Sequence, residues 1–270
     1  MEDHTDATGQ LSTLQNELHN RIQTISIFKQ FGLPGNADFN PSDLSYVRTQ
    51  GMKVQLAWEP WNPEEGTHQS VDILSAIPAG GYDNYIRNFA DSVKAYAGPV
   101  TIRFAHEMNS SDYPWGQRPQ EYVKAYRHIH DLFVSQGVTN VTWMWSVNVA
   151  INQPSEFNAY YPGNDVVNVI GIDGFNFGTT ADYGGWRSFK EVFDPSYTYL
   201  STHYSQPIII SETGSSEQGG NKATWVNDMF QKGIPSYPRV HELIWFDLLK
   251  ETDWRINSSD STLKAFENNL

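Results

Sequence analysis

The order of residues predicts an α/β fold, a (β/α)8 TIM-type barrel, from three observations. Short β-branched or alternating apolar runs are followed repeatedly by longer runs with helical spacing, the signature of parallel βαβ units. The chain has 270 residues, and one barrel takes about 250. Polar groups crowd the C-terminal ends of two strand-like runs, where a barrel builds its chemistry at a cost in stability. One run is 100–115, VTIRFAHEMNSSDYPW, and the other is 207–214, PIIISETG.

Taken in order, Leu11, Leu14 and Leu18 share one face of a helix over 11–20. TISIF at 24–28 is a β-branched strand. A short helix follows over 41–50, with Ser42 or Asp43 as N-cap and Gly51 ending it. Residues 54–58 form the next strand, running into Glu59, Pro60 and Trp61. Ile86, Phe89, Ala90, Val93 and Ala97 line one side of a helix over 83–97, which Gly98 and Pro99 stop. The strand from Val100 comes next. Tyr122, Tyr126, Ile129 and Phe133 mark a helix over 120–136. Strands are expected at 141–147, ending at Asn148, and at 166–172, ending in Asp173, Gly174, Phe175 and Asn176. Residues 186–203 read as a helix broken at Asp194 and Pro195. The strand 208–211, a helix over 224–232, the strand 243–246 and a last helix complete the chain.

That count is seven strands, one short of a closed barrel. Residues 1–10 stand where a first strand belongs, yet lack apolar alternation, so the first strand is expected to be missing or irregular, with two sheet edges left open. No linker-like stretch divides the chain, which predicts a single domain over residues 1–270.

The formal net charge of −13 argues against nucleic acid or an anionic membrane as partner. No run of about 18 apolar residues is present to form a transmembrane helix. The absence of Cys removes disulfides, thiolate metal sites and a Cys nucleophile. No HExxH, GxSxG or phosphate-binding loop occurs, and no metal or cofactor is expected. The acidic N-terminus is not a signal peptide. The expectation adopted is a secreted monomer whose leader has been removed, with a cytoplasmic protein as the alternative.

Two carboxylates on two strand ends, with aromatic residues nearby, suit hydrolysis of a sugar–sugar bond. Glu107 in HEMN reads as general acid/base, with His106 and Asn109 orienting it and the sugar; the competing reading is an ion pair with Arg103. Glu212 after IIIS reads as nucleophile; the competing reading is a helix N-terminal carboxylate stabilised by the dipole. If the two stand about 5–5.5 Å apart, one attacks the anomeric carbon while the other protonates the leaving oxygen, and configuration is retained. Glu59, Asp173, Asp247 and Glu251 compete, each able to bind a hydroxyl or shape the nucleophile. A separation of roughly 6.5–9.5 Å with Glu59 as base would mean inversion. Trp58, Trp61, Trp115, Trp145, Trp245 and Trp254 are candidate sugar platforms, Trp115 and Trp245 foremost. Trp58, Glu59 and Asn148, at strand ends, join the substrate-binding candidates.

RFAHEMNSSDYPWG, VTWMWSVN, YYPG with VVNVIGIDGFNFG, PIIISETGS and IWFDLLKETDWRI together resemble glycoside hydrolase family 26, a family of retaining (β/α)8 glycosidases, from about residue 11 to the end. The resemblance implies that Glu107 is the acid/base and Glu212 the nucleophile. It also implies that His106, Asn109, Trp115 and Trp245 line the sugar subsites, and that strand one is what the chain lacks. Phe175 stands where the family often has a Tyr that donates to the nucleophile. Members include β-1,4-mannanases, mixed-linkage β-1,3-1,4-glucanases and β-1,3-xylanases. The short chain and the SSDYPWG loop resemble the mixed-linkage glucanases more. A weakly active carbohydrate-binding barrel on the same fold is the expectation from another class.

Overall fold

The computed structural model describes residues 7–150, 152–180 and 185–270. Seven strands run parallel in one sheet, in chain order: β1 (Thr24–Gln30), β2 (Lys53–Glu59), β3 (Val100–Phe104), β4 (Val141–Asn148), β5 (Val169–Asn176), β6 (Ile208–Ser215) and β7 (Val240–Trp245). The sheet curls until β1 and β7 approach each other, but no hydrogen-bonded ladder joins them. Among the described residues the barrel is therefore seven-stranded with one seam. At its foot the Lys53 ammonium donates to the Glu242 carboxylate at 2.5 Å, and the Thr24 hydroxyl donates to the same group. Charged side chains along an exposed edge discourage pairing with another chain.

The first strand is missing among the described residues, as expected. Ala7–Gln10 belong to helix α1 (Ala7–Glu17), and the expectation for residues 1–6 lies outside the described residues. The helices α2 (Ser45–Thr49), α3 (Ile73–Ala76), α4 (Asp83–Tyr96), α5 (Pro119–Ser135), α6 (Phe189–His203), α7 (Lys222–Asp228) and α8 (Asp260–Asn269) follow along the chain.

Strand alternation separates the layers. Val54, Leu56 and Trp58 are fully buried, and Trp58 stacks on Phe89 of α4 with ring centroids 4.1 Å apart. Gln55 and Glu59, of the other parity, turn into the lumen, where the Gln55 amide donates to the Ser211 carbonyl. In the same way Phe104 meets Tyr122 of α5, while Arg103 faces the lumen.

Two local expectations change. The helix over 186–203 is not broken. It starts at Phe189 behind a Ser188–Glu191 capping box and carries Pro195 inside, where the proline removes a single helical hydrogen bond. The N-cap before 41–50 is Asn40, whose side chain accepts from the Ser42 amide. Between β4 and β5 the chain forms only a 3-10 segment, Pro154–Tyr160.

Candidate active site

The lumen is polar under the two carboxyls. Arg103, fully buried, donates to Asp173 at 2.5 Å and to the Ser146 hydroxyl at 3.0 Å. Its remaining terminal nitrogen, Nη1, pairs with Glu212 Oε2 at 2.7 Å, as an ion pair without the alignment of a hydrogen bond. Asp173 also accepts from the hydroxyls of Ser146 (2.7 Å) and Ser211 (2.6 Å). Gly171 makes this possible. A Cβ there would fall 2.4 Å from Ser211 Oγ and 2.8 Å from Ser146 Oγ. Burial opposes the charge on Arg103, but Asp173 and Glu212 outweigh it and hold the guanidinium protonated.

Glu212 reaches this network through a bulge. Ile172 of β5 faces Ile210, but Asp173 faces Glu212, so Ser211 is an extra residue in β6. Alternation alone would send Ser211 and Glu212 to opposite faces; the bulge turns both into the lumen.

Glu107 arrives differently. Beyond Phe104 the backbone leaves the ladder, and Ala105 and Glu107 take left-handed φ values of 44° and 53°. Each costs on the order of 1–3 kcal/mol in a residue other than glycine. The Glu107 amide is satisfied by the Ser146 carbonyl at 3.0 Å. Its carboxylate oxygen Oε2 accepts from Asn148 Nδ2 at 3.0 Å.

Burial pushes both carboxyls up, Glu107 to about 8 and Glu212 to about 7. For Glu107 the charges of Asp173 and Glu212 add to the rise, while Arg103 and Asn148 oppose it. For Glu212 the main opposition is the Arg103 guanidinium against it. The ion pair with Arg103 thus favours the charged form at Glu212, while Glu107 has an amide as its hydrogen-bond donor.

Several expected contacts are corrected. Trp58 cannot be a sugar platform: it is 0% exposed, and baring such a side chain forfeits about 1.5–3 kcal/mol of burial. Trp115 is 0% exposed, stacked on Tyr113 at 4.4 Å with its indole donating to the His106 carbonyl at 2.7 Å. Trp145 and Trp254 are buried as well. Trp245 is half-buried but turns outward against Trp225 of α7 and Phe266 of α8, with the Lys222 ammonium 5.7 Å over its ring. Asn109 does not reach Glu107; it is engaged on the Asn148 main chain. His106 faces away from Glu107, toward the Tyr113 hydroxyl at 3.2 Å and Glu59 at 3.9 Å. Burial, then Arg103 and Lys250, lower its pKa well below the usual range, so it is neutral. Glu59 accepts from Gln30 at 2.7 Å and Trp61 at 3.1 Å, and burial raises its pKa.

Half-buried aromatic side chains at and beyond the C-terminal ends of the strands are Trp61, Tyr113, Phe175 and Phe246, with Trp61 edge-on to Tyr113 at 5.8 Å. Phe175 packs against Trp254 at 5.1 Å and Phe246 at 5.7 Å. Asp173 binds no solvent-facing group: it is fully buried and serves Arg103. Arg103, Ser146 and Ser211 were not singled out from the sequence as site residues. Their signal was there, polar side chains in the middle of otherwise apolar strands.

A curled parallel sheet with outer helices and two buried carboxyls at strand C-termini is the architecture of a barrel glycosidase. The chain belongs to glycosyl hydrolase family 26, whose family description matches residues 53–226. Endoglucanase H of Acetivibrio thermocellus is 37% identical over 241 residues, covering 83% of this chain and 26% of that protein. A mannan endo-1,4-beta-mannosidase of Bifidobacterium adolescentis is 27% identical over 167 residues, covering 54% of this chain and 16% of that one. The chain thus spans about a quarter or less of the length of these relatives. Among solved structures, a GH26 β-mannanase of Bacteroides ovatus superposes with a TM-score of 0.67 at 20% identity, over 94% of this chain and 80% of that one. A modular endo-β-1,4-mannanase of Cellulomonas fimi gives 0.70 at 17% identity, over 95% and 64%. At these identities the structural likeness establishes the fold.

Proposed function

We propose that the chain is the catalytic domain of a retaining endo-β-glycanase, with Glu212 as nucleophile and Glu107 as acid/base. The observation that carries the reading is the split environment of the two carboxyls, Arg103 against Glu212 and an uncharged amide against Glu107. The Glu212 carboxylate attacks the anomeric carbon as the glycosidic C–O bond breaks, and Glu107 gives its proton to the leaving oxygen. Esterified Glu212 no longer carries charge, and that charge is one cause of the raised Glu107 pKa. Glu107 therefore becomes readier to stay ionised, which suits its next task. It takes a proton from the water that attacks the anomeric carbon and frees Glu212. Two carboxyls and water suffice, so the reading includes no metal or cofactor.

The substrate we favour is a β-glucan, mixed-linkage β-1,3-1,4-glucan first. In support, the endoglucanase relative is more similar, and over more of this chain, than the mannosidase relative. β-1,4-Mannan is the second reading, favoured by the mannosidase relative and the mannanase folds. The proposed enzyme works as a secreted monomer; no helix among the described residues is long and apolar enough to cross a membrane.

The test is digestion of mixed-linkage glucan, β-1,4-mannan and β-1,3-xylan by the wild type, Glu107→Gln and Glu212→Gln, with the first-formed anomer read by proton NMR. Cleavage of the glucan to the β-anomer is expected, with each variant slower by at least about 10²–10⁴-fold. First release of the α-anomer would point to inversion with Glu59 as base. Cleavage of none of the three would leave the carbohydrate-binding barrel as the better account.

A further inference from the structure

Asn148 ends β4 on the same parity as Ser146, so its side chain enters the lumen beside Glu107. Its Nδ2 donates to Glu107 Oε2 at 3.0 Å. Nothing in β4 alone fixes that amide, because the strand ends there. The restraint comes from Asn109, two residues after Glu107. Asn109 Oδ1 accepts from the Asn148 amide N–H at 2.9 Å, and its Nδ2 donates to the Asn148 carbonyl at 3.0 Å and to Glu156 at 3.2 Å. One carboxamide thus clamps both main-chain groups of Asn148.

We propose that Asn148 is the positioning residue of the Glu107 carboxyl, and that Asn109 acts through it. This rests on the reading of Glu107 as acid/base. The Asn148 amide marks Oε2 as an acceptor and leaves Oε1 to carry the proton toward the leaving group. Because the donor stays in place in both half-reactions, it also favours the ionised form against the burial that opposes it. The charged and titratable groups around Glu107 are Arg103 from β3, Asp173 from β5 and Glu212 from β6, with the Tyr113 hydroxyl in the same field. None of them hydrogen-bonds Glu107 among the described residues; Asn148 does.

The experiment follows the Glu107 carboxyl by ¹³C NMR titration of the free protein, its signal assigned by its loss in Glu107→Gln, alongside the pH profile of kcat/KM. In Asn148→Leu the titration midpoint and the alkaline limb are both expected to rise, by about one pH unit. Asn109→Ala, which removes no atom touching Glu107, is expected to shift both in the same direction by less. If the leucine variant does not fold, Asn148→Ser, too short to reach Oε2, takes its place. A midpoint unmoved in a folded Asn148 variant overturns the proposal, as does a rise in KM alone, which would make Asn148 a sugar ligand. An Asn109→Ala variant that leaves the midpoint in place overturns the clamp. The NMR arm needs no substrate, so it stands even if no glycan is cleaved and the functional reading falls.

Discussion

Glu107 at the end of β3 and Glu212 at the end of β6 are the same residue type, almost equally buried, and share the lumen of one barrel. Their backbones are re-aimed by different devices: two left-handed residues for Glu107, one extra residue in the strand for Glu212. Their partners differ too, a neutral amide for one and a guanidinium for the other. Residue type therefore does not set the role. In the proposed roles, the carboxyl ion-paired with a fixed cation is the one that attacks, and the carboxyl whose hydrogen-bond donor is an amide is the one that keeps a proton to donate.

The sharpest way to break this contrast is Arg103→Met. It leaves Asp173 and Glu212 buried without their shared cation, and losing one member of such a pair costs about 3–5 kcal/mol. A fall in melting temperature of roughly 10 °C is expected by calorimetry. Turnover should fall as well, because burial then raises the Glu212 pKa unopposed; a variant melting like wild type would remove Arg103 from its central place.

A smaller effect separates the two glutamates. Both have folded-state pKa values above the unfolded value of about 4.3. Between that value and about 7 to 8 the folded state binds more protons than the unfolded, so their contribution to stability declines as pH rises through this window. Glu107→Gln removes that loss and should melt a few degrees higher than wild type at pH 8 but not at pH 5. Glu212→Gln also strips Arg103 of a partner and should gain less. Equal gains, measured by melting at both pH values, would mean that Arg103 does not distinguish the two.

The smallest effect concerns the wall beside Glu212. Phe175→Tyr adds a hydroxyl to a ring that is only half-buried. It should change stability by less than about 1 kcal/mol and raise turnover by adding a donor near the proposed nucleophile. Unchanged or lower turnover would count against that account of the site.

The seven strands were legible because each is a β-branched or alternating run closed by turn residues. The two glutamates were legible because nothing structural calls for acid at the end of an apolar strand. The tryptophans were misread for a physical reason. At a strand end, parity decides between lumen and helix layer, and Trp58 shares its parity with Val54 and Leu56, which are fully buried. For Trp245 even parity was unreliable beforehand, since β6 and β7 shift register twice. The Arg103–Asp173–Ser146–Ser211 network lay beyond local reading because its members come from four strands. Lys222 is a similar case. A lysine on a helix reads as surface, yet here it is buried with its ammonium on the Asp253 and Arg255 carbonyls and the Ser258 hydroxyl.

The seam between β1 and β7 gives the sheet two ends, where a closed barrel is a ring. A ring can open only by breaking a ladder, whereas here the ends meet through side chains, with Glu242 holding Thr24 and Lys53 at the foot. The outward amides of β1 and β7 should then trade their protons for deuterium sooner than those of β4, which has a neighbour on either flank. The strands that carry the two proposed catalytic glutamates, β3 and β6, stand two places and one place in from these ends, so the proposed chemistry is kept off the sheet's loosest margin.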